Sequence, residues 1–209
     1  MGIDMKTTRQ YTMRSRAEQT EQTRQRILTA TLSLAFERPI VAVTLPEIAS
    51  RAGVSVQTVL RQYGSRDELF DATEQYAQRE VLAERETTPG DIDHAVETIV
   101  KHYELRGDGV ILLLGQESWE PRAARITASG RELHRTWVER AFAPLIPTQN
   151  PDERSACIDL LAVATDVFTW KLLRRDRHHS ADETAHAMKR MITAQLEWTR
   201  HVNDPLRHD

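Results

Sequence analysis

An all-α fold of about nine helices is predicted, a short three-helix unit leading a larger helical body. Three observations predict it. Glycine and proline number only eight each, and β-branched runs are short, so strands have little to build from. Ser/Thr-x-x-Glu capping boxes stand at Thr44–Glu47, Ser65–Glu68 and Ser180–Glu183, each able to start a helix by reciprocal hydrogen bonds. Elsewhere apolar residues recur three and four apart, the spacing of one helix face.

Composition narrows the function classes. No apolar run reaches the ~18 residues of a membrane-spanning helix. The opening MGIDMKTTRQYTMRSRAEQ has no signal-peptide core. The lone Cys157 excludes an internal disulfide and fits a reducing cytoplasm. No G-x-S-x-G, H-E-x-x-H, C-x-x-C or P-loop pattern occurs, so an enzyme is not expected. Charge is unevenly spread: ten basic residues meet five acidic ones through Arg66, and eighteen meet twenty-six beyond it. A basic head on an acidic body suits a polyanionic partner for the head alone.

Taking the elements in order, residues 1–19 form a basic flexible arm, with Arg14 and Arg16 free to follow a phosphate backbone or a minor groove. Residues 20–70 form the head, with its central motif at 44–63. Thr44-Leu-Pro-Glu47 starts a short helix whose buried face is Leu45, Ile48, Ala49 and Ala52. Gly53 supplies a left-handed exit, Val54 plugs the turn, and Ser55 caps the next helix. That helix buries only Val59 and Tyr63 and ends at Gly64. Ser65-Arg-Asp-Glu68 then opens a long helix through about Arg85. Two short helices about a Gly turn make a helix-turn-helix.

The outward edge of the second short helix carries the candidate chemistry. Gln57 suits a bidentate pair with adenine, and Val56 and the Thr58 methyl suit thymine methyls. Leu60, Arg61 and Gln62 share that edge, and Thr44 and Ser55 stand at the helix starts beside it. Arg61 and Arg66 are placed for phosphates, which position a protein without reading sequence. Double-stranded DNA is the expected partner.

At these residues the chain resembles the TetR/AcrR-type transcriptional regulators. The likeness runs from about Thr23 to Phe70, about a quarter of the chain. It rests on Arg26-Ile27-Leu28 through Ala35-Phe36, on the Thr44-to-Ser55 block with its Ile-Ala and Ala-Gly-Val-Ser, and on the pair ending at Tyr63. Leu60 stands where the family has Tyr, Tyr63 where it has Phe, and Arg66 where it has Lys. Leu60 lacks the hydroxyl with which that Tyr commonly touches a phosphate. The resemblance implies a homodimeric, all-helical repressor on an inverted-repeat operator. It also implies release by a small-molecule effector held in the C-terminal domain. The rival reading is a helical protein-binding or assembly module without sequence-specific DNA binding.

Residues 71–209 form the effector-binding and dimerisation body. Ile92, Val96, Ile99, Val100 and Tyr103 make a helical stripe expected to end at a Gly107-Asp-Gly109 turn. Val110–Leu114 reads as buried, and Pro121 as a limit to that helix. A helix from Arg122 to about Ala143 carries Ile126, Leu133, Trp137 and Ala141. The next, Asp152 to about Arg175, is apolar on two sides. Its Leu160, Val163, Val167 and Phe168, with Met188, Ile192 and Leu196 of the last helix, are the predicted dimer interface. Tyr103, Trp119, Trp137 and Phe142 are candidate effector walls, and His102, Glu117 and His134 candidate polar hooks. In the alternative reading, Trp137 is core and both histidines are solvated. His179, Asp182 or Glu183, and His186 fall near one face, but two histidines and an acid on a surface helix are weak metal ligands. No metal or cofactor is expected.

Overall fold

The computed structural model describes residues 5–148 and 150–202, with side chains from Ala17 onward. Among them every regular element is a helix. None is long and apolar enough to cross a membrane. The chain divides into two compact units, Met1–Gln78 and Arg79–Asp209. The division falls within a helix, eight residues beyond the expected edge of the head at 70.

In the first unit α1 spans Met5–Glu37, so the backbone from Met5 on continues this helix where a separate arm was expected. The side chains of Arg14 and Arg16 lie outside the described residues. A 3-10 turn over Ile40–Ala42 leads to α2 (Leu45–Ala52), α3 (Val56–Tyr63) and the start of α4 (Arg66–Glu84). Ile27, Leu34, Ile40, Val43, Ile48, Val59 and Leu69 form the core. The box at Thr44 forms in both directions, the Glu47 N–H to Thr44 Oγ1 and the Thr44 N–H to Glu47 Oε2. Gly53 ends α2 at φ 66°, where a Cβ is disfavoured, and its N–H reaches back to the Ala49 and Ser50 carbonyls.

The second unit holds the end of α4, then α5 (Ile92–Leu114), α6 (Pro121–Phe142), a 3-10 turn (Ala143–Leu145) and α7 (Pro151–Ala164). It closes with α8 (Val167–Lys171), a π-helical turn over Leu172–Asp176, and α9 (Ala181–Val202). Two expectations are overturned. Gly107-Asp-Gly109 is no turn: α5 runs straight through it. Gly107 is there because Trp170 lies on it; a Cβ at 107 would sit 2.4 Å from the indole. Nor is residue 152 to 175 one helix. Thr165 returns its hydroxyl to the Leu161 carbonyl at 2.8 Å, and Asp166 caps a new start at the Phe168 N–H, 2.8 Å away. Pro121 starts α6 instead of limiting the helix before it, a position where its missing N–H costs nothing. In the 110–114 run only Leu113 is fully buried.

Candidate nucleic-acid interface

Only Val59 and Tyr63 of α3 are buried, so the rest of this two-turn helix faces outward. Tyr63 is fixed by its hydroxyl, which donates to the Arg24 carbonyl at 3.0 Å. The start is fixed by Ser55, whose Oγ accepts the Thr58 N–H at 3.1 Å and lies 2.9 Å from the Thr58 hydroxyl. With that hydroxyl engaged, Thr58 presents its methyl. Gln57, Leu60 and Arg61 are exposed, and Val56 and Gln62 are half-buried beside them. Arg61 makes no hydrogen bond or ion pair among the described residues.

Arg66 corrects the phosphate reading. Its Nε donates to the Val43 carbonyl at 3.1 Å and its Nη2 to the Ile40 carbonyl at 2.6 Å. The guanidinium also lies 4.5 Å from the Phe70 ring centroid. It ties the 3-10 turn to α4, with its fork spent inside the protein. Arg51 is likewise clamped on Glu37, at 2.7 and 2.9 Å. The pairing holds the Glu37 carboxyl below its usual value. Thr44 is a cap whose hydroxyl donates to Glu47.

Residues 27–73 match the family model described as bacterial regulatory proteins, tetR family. The head is a TetR-type domain. The whole-chain fold agrees. It resembles a transcriptional regulator from Rhodococcus sp. Rha1 (TM-score 0.63, 21% identity, 84% of this chain and 96% of that one). It also resembles a tetR-family regulator from Streptomyces coelicolor (TM-score 0.64, 17% identity, 90% and 91%). No curated protein matched in sequence. A TetR-type head thus precedes a helical body whose fold is similar to that of these two structures.

Within the helical body the candidate effector residues separate into groups. His102, Tyr103, His134, Trp137 and Phe142 are all buried. The solvated reading of both histidines therefore fails. His102 Nδ1 lies 2.8 Å from Glu84 Oε2, and Arg106 grips the same carboxylate. Burial alone would raise the Glu84 carboxyl, but these donors hold it at about 2. Burial drives His102 down to about 4, so the neutral ring donates through Nδ1. His134, pushed to about 4 by burial and then by the Arg85 charge, stacks on Trp137 with ring centroids 5.8 Å apart. Its Nε2 donates to the Ala162 carbonyl at 3.2 Å. Tyr103 donates to the Thr165 carbonyl, and Phe142 meets Trp137 edge-on. Glu117 stands apart, bound to Thr127 and Arg131 at 2.9 Å. Trp119 is 53% exposed and belongs to no enclosed wall.

Of these Trp137 lines an open cleft, whose other walls the sequence reading missed: Val81, Leu82, Arg85, Leu133, Thr136 and Arg140. Near the last helix, Glu183 is committed to capping Ser180 at 2.7 Å. The buried Cys157 sits in the core.

The predicted interface splits in two. Val167, Met188, Ile192 and Leu196 are buried in the core of their own chain and have no surface to offer a twin. Leu160, Val163 and Phe168 are more than half exposed. Leu172, Met191, Trp198 and Val202 join them as large exposed apolar side chains, Trp198 at 63%. The missed signal was the 191-198-202 spacing, a second stripe on α9 beside the chosen 188-192-196.

Proposed function

We propose that this protein is a homodimeric, sequence-specific repressor that leaves an inverted-repeat operator when its body takes up a small molecule. One observation carries the reading: α3 is rigidly seated yet keeps Gln57, Leu60 and Arg61 uncovered at its outward edge. A recognition helix needs that combination, because base edges are read by short side chains on a fixed support. Val56, Gln57 and the Thr58 methyl read bases, and Arg61 holds a phosphate. The exposed apolar side chains of α7, the α8 region and α9 support pairing of two bodies, since monomers seldom leave so many together. Two heads would then engage half-sites about one helical turn apart.

Selection of bound genomic fragments followed by footprinting tests this. The expected outcome is protection of two inverted halves, weakening steeply with salt. Gln57→Ala should relax preference at one position in each half. Protection of unrelated DNA with no shared half-site would instead support the protein-binding alternative.

A further inference from the structure

The cleft between the end of α4 and α6 has an unusual lining. Val81, Leu82, Leu133 and Trp137 make it apolar, while its charged groups are Arg85 and Arg140, with no acidic residue on its wall. Its cavity volume is about 70 Å³, and it opens to solvent. Arg85 is the anomaly. Its Nε is closed from solvent and has no hydrogen-bond partner. Desolvating a guanidinium without a matched acceptor is costly, and such groups are normally paired.

The neighbouring acids do not supply the match. Glu84 is gripped by His102 and Arg106, and Asp166 accepts the Phe168 N–H. Tyr103 offers Arg85 its ring face, 5.6 Å from the guanidinium carbon, and its hydroxyl, which donates to the Thr165 carbonyl, also accepts from the guanidinium, leaving Nε unmatched. The Arg85 carbonyl is fixed by the Trp137 indole N–H at 2.7 Å, which anchors the backbone at the cleft wall. Arg140 is exposed and makes no ion pair among the described residues.

We propose that this cleft binds an amphipathic monocarboxylate, its carboxylate held by Arg85 and Arg140 and its tail laid on Leu82, Leu133 and Trp137. A carboxylate fits the guanidinium fork through two oxygens. A phosphate dianion suits the site less well, because Glu84 and Asp166 already place negative charge around Arg85. The inference rests on the effector reading above and gives that effector a chemical class.

Titration calorimetry on the full chain with octanoate and with 1-octanol tests it, since the two share a tail and differ in the head. Octanoate should bind at least tenfold more tightly than the alcohol. Arg85→Met should lower octanoate affinity about 10- to 100-fold and leave the alcohol unchanged, removing the preference. Arg85→Lys, which keeps the charge and loses the planar fork, should lose about tenfold, and Arg140→Gln several-fold at the rim. The lysine and rim variants decide the matter if the methionine variant fails to fold. Absence of octanoate binding, equal binding of acid and alcohol, or a preference that survives in Arg85→Met overturns the proposal. Displacement of a selected DNA fragment is read separately. Arg85-dependent octanoate binding without displacement keeps the site and removes its role as effector site. Specific DNA binding with no octanoate binding removes the site alone.

Discussion

Replacing Gly107 by Ala is the sharpest test of how the body is packed. In an ordinary helix interior this change adds about 1 kcal/mol of stability, because glycine has more backbone freedom to lose. Here the new Cβ would stand 2.4, 2.6 and 2.9 Å from three Trp170 ring atoms. The indole has little room to retreat: it is fully buried, its N–H donates to Glu104 at 2.9 Å, and Arg175 covers it at 4.5 Å. Overpacking of this kind costs about 3 kcal/mol at the upper end of its range. The net change is a loss of about 2 kcal/mol, or roughly 5 °C in Tm for a chain of this size. Gly130→Ala is the internal control. It lies in α6 with nothing within 4 Å of its added Cβ, so it should raise Tm by about 2 °C. Thermal unfolding followed by circular dichroism reads both. A Gly107→Ala protein at least as stable as Gly130→Ala would refute the close approach of α5 and α8.

Three further outcomes follow from the same contacts. Val163→Glu should give monomers in size-exclusion chromatography with light scattering at unchanged helicity, whereas Met188→Ala should cost about 3 kcal/mol of stability as a core truncation; dimers of unaltered stability in Val163→Glu would show that another face pairs. The His102 ring titrates at about 4 in the fold against 6.5 unfolded, so the unfolded chain takes the proton first, and stability falls as pH drops from 6.5 towards 4. Glu84, held at about 2 against 4.5, extends the loss below pH 4.5. His102→Asn keeps a donor for Glu84 and should flatten the upper limb by on the order of 3 kcal/mol in urea titrations across that window. Arg61→Ala should leave Tm unchanged and reduce the salt slope of DNA binding by about one, while Arg66→Ala should lower the Tm of the head, because it releases the 3-10 turn.

The head was legible because its signals are local. A cap, a Gly exit and a second cap lie within twenty residues, and each reports on its own hydrogen bonds. The role of Arg66 was not legible, since the Ile40 and Val43 carbonyls that it binds are more than twenty residues away. Gly107 misled for a related reason: in sequence a glycine that frees a turn looks the same as one that makes room for a distant indole. The break at Thr165-Asp166 was written locally, as a cap inside an apolar run, and the periodicity on either side outweighed it. On α9 two stripes coexist, and spacing alone does not say whether Met188 or Met191 faces the core.

The partners found in the head change what its charge implies. Among the described residues several of the head's cations are committed within the fold: Arg51 to Glu37, Arg38 to Glu47, and Arg66 to two carbonyls. Arg61 is the cation left at the outward edge of α3. Each phosphate neutralised on duplex DNA contributes about 0.9 to the salt slope, so Arg61 on α3 adds about one. In the dimeric reading proposed above, a second head at high effective concentration adds to that hold. The exposed apolar side chains of α7 and α9 would bring that second head in by pairing two bodies. In that reading the single cation on α3 and the exposed apolar side chains of the body serve one requirement.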